Sequence, residues 1–67
     1  MSYTAILLKD PDGGYVAQNP ETGTSTQGET IDEALANLRE ATELYLKEFP
    51  AAVTSPALMT TFELSHA

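Results

Sequence analysis

Residues 22–33 read TGTSTQGETIDE, and the reading of this run decides the fold. Two glycines and a row of small hydroxyl residues stand directly before the one long helical pattern in the chain. A phosphate-binding loop would place a lysine after its second glycine, but Glu29 stands there. Glu29, Asp32 and Glu33 also gather negative charge where an anion would have to sit. The run therefore reads as structure: a turn ending at Gly23, a polar strand through Gln27, a tight exit at Gly28 and a helix that begins after Thr30. Thr30-x-x-Glu33 is a capping box, in which the Thr30 hydroxyl accepts the Glu33 N–H and Glu33 reaches back. The three acids suit the positive end of a helix dipole.

From this start the spacing predicts a helix over residues 30–49. Ile31, Ala34, Leu35, Leu38, Ala41, Thr42, Tyr45, Leu46 and Phe49 recur on one face, Glu43 and Lys47 form a favourable i, i+4 pair, and Pro50 stops the helix. Leu44 falls outside the stripe, on the far side at about 100° per residue. It reads either as one exposed leucine or as a contact with another chain.

Toward the N-terminus, residues 3–9 (YTAILLK) and 15–19 (YVAQN) are strand patterns. Between them lies DPDGG, where Pro11 pre-sets φ and Gly13 or Gly14 supplies a positive φ. The pair is expected as an antiparallel hairpin, with a second turn at residues 20–23 (PETG). The strand TSTQ then presents one solvated face. Toward the C-terminus, residues 58–65 (LMTTFELS) alternate, with Leu58, Thr60, Phe62 and Leu64 on one face and Met59, Thr61, Glu63 and Ser65 on the other. They read as a last strand. The expected fold is α+β, in the order β-β-β-α-β, with one helix packed on a small, mostly antiparallel sheet.

Length allows one domain, residues 1–67. For so short a chain, area burial and conformational entropy nearly cancel, and oligomerisation is a usual remedy. The chain has no cysteine, which excludes disulfides and thiolate metal sites, and His66 is its single histidine. The net charge is −7, from ten acids against three bases. Nucleic-acid binding needs lysine and arginine to neutralise phosphates, so an acidic surface points to basic partners instead. There is no apolar run long enough to span a membrane and no signal-peptide pattern, so a cytoplasmic protein is expected.

Catalysis finds no support. A Ser or Thr nucleophile needs a positioned base, and His66 stands next to the terminus, where chains fray. Asp10 and Asp12 could hold Mg²⁺ or act as acid and base, but around a Pro-Asp-Gly turn they read first as turn formers. No enzyme activity, metal or cofactor is expected. Gly13, Gly14, Gly23, Gly28, Thr30 and Glu33 are assigned to turns and cap. Asp10, Asp12, Leu44, Met59 and Phe62 are the residues nominated for contact with a partner or a second copy. A homo-oligomer, most simply a two-fold dimer, is expected.

In order along the chain, Asp12-Gly13-Gly14-Tyr15-Val16, the turn from Pro20 to Gly23, Thr26-Gln27-Gly28-Glu29-Thr30, Glu33-Ala34 and Tyr45-Leu46 resemble the HicB antitoxin family. The likeness covers about residues 3–48. It implies a partial RNase-H-like fold without that fold's catalytic acids, in a protein that binds and blocks a small basic HicA-type toxin, an mRNA-cleaving ribonuclease. Two departures stand out. The turn Pro20-Glu21-Thr22-Gly23 is shorter than the family's usual form. The chain also ends at Ala67 without the DNA-binding domain that many such antitoxins carry, so no operator binding by this chain is expected. The alternative is an orphan homo-oligomeric module that binds another protein or a small ligand, with no toxin partner.

Overall fold

A computed structural model of the chain describes residues 2–50 and 55–65. Three strands precede one helix: β1 (Ile6–Lys9), β2 (Tyr15–Asn19), β3 (Thr24–Gly28) and α1 (Ile31–Glu48). The strands form an antiparallel sheet in the order β1-β2-β3. Its register is fixed by pairs such as Leu7↔Ala17 and Ala17↔Thr26. The α+β class and the first four elements are those the sequence predicts.

The first strand starts three residues later than expected, and β2 explains why. Its pairing ends at Ile6↔Gln18, because Pro20 follows Asn19 and carries no N–H for a ladder. Thr4 turns to Glu21 instead. The Thr4 N–H donates to Glu21 Oε1 at 2.8 Å, and its hydroxyl donates to Oε2 at 2.6 Å.

The helix lies over β3 and β2. Alternation places Tyr15, Ala17 and Asn19 on the side that meets it, and Ala17, Ala34 and Leu38 form the buried core with Tyr15 packed against them. No large side chain among the described residues is fully buried. Hydroxyls do much of the joining. Thr26 Oγ1 donates to the Ala34 carbonyl at 3.0 Å, Thr24 and Thr42 share a hydrogen bond at 3.2 Å, and Asn37 Nδ2 donates to the Gln27 carbonyl at 2.8 Å. Thr24 and Thr26 of the TGTSTQ run thus face the helix, while Ser25 and Gln27 are exposed. Asn19 is buried, and its Oδ1 accepts the Thr22 N–H at 2.9 Å, which closes the β2–β3 turn.

The cap forms with one change. Thr30 is extended (φ −125°, ψ 164°), and its hydroxyl accepts the Glu33 N–H at 3.1 Å. Glu33 reaches back to the Glu29 N–H at 3.0 Å, one residue beyond the partner a capping box predicts. Along the helix Ala34, Leu38 and Thr42 are buried, whereas Ile31 and Phe49 at the ends of the stripe are half exposed. The sheet is too short to cover both ends, and Phe49 packs instead on Tyr45, with ring centroids 4.9 Å apart.

The predicted last strand is corrected by the structure. Residues 58–65 form no strand. Leu58 is 98% exposed, Phe62 82%, Leu64 79% and Met59 61%. A strand needs an edge to pair with, and this segment lies against none; only its start is tied down, where the Ala57 N–H donates to Glu21 Oε2 at 2.6 Å. Residues 57–65 are therefore an arm, and the molecule extends 48 Å along its longest axis against 28 and 15 Å across it. His66 lies outside the described residues.

Candidate functional site

Register brings two distant stretches to one end of the sheet. Lys9 pairs with Tyr15 across the first hairpin, and Tyr15 pairs with Gly28. The turn at residues 10–14 and the start of α1 therefore sit side by side. Asp10 organises the turn: its carbonyl accepts the Gly13 N–H at 3.0 Å, its N–H donates to the Gly14 carbonyl at 3.0 Å, and its Oδ1 accepts the Asp12 N–H at 2.9 Å. The backbone then needs positive φ at Gly13 (111°) and Gly14 (77°), which glycine adopts without strain.

Gly28 serves a different purpose. Its φ is ordinary, but a Cβ there would lie 2.4 Å from the Ala34 nitrogen, so its bare backbone lets the strand close on the helix. Gly14 approaches the Gly28 carbonyl from the other side, within 2.7 Å of where a Cβ would stand. These close approaches draw the turn and the helix start together.

Between them is an open pocket of about 240 Å³, lined by Asp10, Gly13, Gly14, Tyr15, Gln27, Gly28, Glu29 and Glu33. Three carboxylates reach it, and none of the chain's three bases lines it. Each carboxylate carries more acceptor sites than its local hydrogen bonds use. Chemically the pocket suits a guanidinium or ammonium group. Among the described residues no group of three or more His, Cys, Asp or Glu is placed to hold a metal ion.

The contact residues nominated from sequence fall in three places. Asp10 lines the pocket; Asp12 belongs to the same turn but does not. Leu44 stands 56% exposed on the back of the helix, as its phase predicts. Met59 and Phe62 are on the arm. Glu33, assigned to the cap, also lines the pocket beside Glu29 and Tyr15, which sequence reading did not nominate. Glu21 was missed as well. From the β2–β3 turn its carboxylate joins the N-terminal segment and the arm, which are 17 and 36 residues from it in sequence. The Thr4 hydroxyl first, and then the Ala57 N–H, hold this carboxyl below its usual range.

These features define a small acidic α+β domain, a three-stranded sheet under one helix with an anionic pocket at the helix start. Residues 3–65 match the family of unknown function DUF7387, and the chain belongs to that family. It is 48% identical to the UPF0150 protein Ta0767 of Thermoplasma acidophilum over 48 residues, 70% of each chain. It is 45% identical over 51 residues to the UPF0150 protein ssr1765 of Synechocystis sp., which covers 75% of this chain and 65% of that one. A further Synechocystis sp. relative, the UPF0150 protein ssr1258, is 39% identical over 54 residues, 79% of this chain and 78% of the relative. No solved structure matches the chain. No helix among the described residues is long and apolar enough to cross a membrane.

Proposed function

We propose that this protein is a non-catalytic, antitoxin-like binding module that neutralises a small basic HicA-type mRNA-cleaving toxin by direct contact in the cytoplasm. The observation that carries the reading is the pocket of Asp10, Glu29 and Glu33 at the helix start, on a chain of net charge −7. An arginine or lysine entering it would meet two carboxylates, those of Asp10 and Glu33, already held by backbone N–H groups, so less side-chain freedom remains to be lost. The surrounding acidity would speed the encounter with a basic partner. The ordered motifs that resemble HicB antitoxins support the same reading. With three bases and no reading helix, the chain is not expected to bind nucleic acid by itself.

The exposed arm favours a second reading, an orphan homo-oligomeric module that binds some other protein or small ligand. The two are separated by expressing the chain with the small basic protein encoded beside it. The toxin reading expects growth arrest by that protein alone, rescue by this chain, and a complex that survives purification. Absence of such a neighbour, or arrest that this chain fails to relieve, favours the orphan module.

A further inference from the structure

The arm at residues 57–65 and the uncovered side of β1 answer one another. The helix covers β3 and β2 and leaves β1 at the margin, where Leu7 and Leu8 are 37% and 49% exposed. Among the described residues β1 pairs only with β2, so its outer edge offers an unpaired row of backbone N–H and C=O groups. Beside it, between the N-terminal segment and the helix, runs an open groove of about 510 Å³. Its lining is mixed: Tyr3, Ala5, Leu35, Leu38 and Leu46 supply the apolar part, and Arg39 and Glu43 stand among them. The arm has what this surface lacks: a period-two run, LMTTFELS, with four large apolar side chains left in solvent.

We propose that the occupant of the β1 edge and its groove is the arm of a second copy of this chain, exchanged reciprocally in a two-fold dimer. Length agrees, because eight residues from Leu58 to Ser65 are enough to run along residues 2–9. Anchoring decides between the chain's own arm and a partner's. Glu21 fixes Ala57 beside Thr4, and beyond that point the arm leads away from its own body without a further hydrogen bond to it. With the anchor in place, an edge supplied by another copy meets the arm where it already points. Exchange then buries Leu58, Phe62 and Leu64 twice over, once per arm, and leaves no unpaired β1 edge. Closed two-fold contacts of this kind are self-complementary. The proposal concerns contacts between copies alone, so its failure leaves the toxin reading untouched.

The test uses the whole chain. Sedimentation at micromolar concentration is expected to give a dimer mass. Leu58→Glu with Phe62→Glu should weaken dimerisation at least about a hundredfold, since two large apolar side chains per arm lose their burial. These side chains touch little in the isolated chain, so its helical circular dichroism at low temperature should persist. The chain has no cysteine, so single thiols report contacts cleanly. Chains carrying Leu8→Cys mixed with chains carrying Thr61→Cys should be joined by a short thiol cross-linker. A monomer mass for the unaltered chain overturns the proposal. So does a dimer bridged only between Thr61→Cys copies, or a Leu8→Cys/Thr61→Cys double variant that cross-links only within one chain.

Discussion

Thr30 and Gly28 stand two residues apart and fail differently when replaced. Thr30→Ala removes the acceptor of the Glu33 N–H, a loss of about 1 kcal/mol. That corresponds to about 4–8 °C in melting temperature for a domain of this size. Thr30 does not line the acidic pocket, so partner affinity should hold. Gly28→Ala forces a methyl group against the Ala34 backbone, and backbone cannot swing aside as a side chain can. A cost of about 2 kcal/mol or more is expected, at the strained end of overpacking. Urea denaturation of both variants checks the order. The cap was legible because it is local: a hydroxyl and a carboxylate three residues apart announce it. The Gly28 approach was not, since the atom it avoids belongs to another element. Sequence reading took that glycine as a tight exit from the strand, whereas its φ is ordinary and its role is proximity.

Among elements, the sheet and helix were legible for the same local reason. Turn signals bounded the β2 run and threonines marked β3, the glycines at 13, 14 and 23 take the positive φ that their turns require, and apolar periodicity marked α1. The last strand misled because alternation describes what a segment could pair as, while pairing depends on an edge that the single chain does not bring to it. Glu21 marks where that segment begins. Its folded pKa is below its ordinary value of 4.5, so the ionised form favours the folded state. That contribution is present above the ordinary value and is lost as pH falls through the lowered one. The tether of Thr4 and Ala57 should therefore loosen in acid. Protection of the Thr4 and Ala57 amides, taken against the intrinsic exchange rate at each pH, should fall between about pH 6 and about pH 3 more than that of Gly13. Glu21→Gln keeps one acceptor oxygen of the two, so at least one of the two amides should lose its protection at either pH. Equal protection at both pH values in the unaltered chain would remove the tether from the account.

At the scale of the molecule, charge and shape support the proposed function. The net charge was plain from composition, and Asp10 was nominated from its turn. That Asp10 meets Glu29 and Glu33 was not legible, because the meeting depends on two strand registers at once, Lys9↔Tyr15 and Tyr15↔Gly28. The central claim is that this pocket receives a cationic side chain of a basic partner protein. Calorimetric titration of the co-expressed basic partner against the chain and its Asp10→Asn/Glu29→Gln variant tests it most directly. The account predicts at least about a tenfold loss of affinity in the variant, a loss that shrinks as salt rises, and a melting temperature within a few degrees of the parent. An unchanged affinity at low salt, with the variant folded, would contradict it.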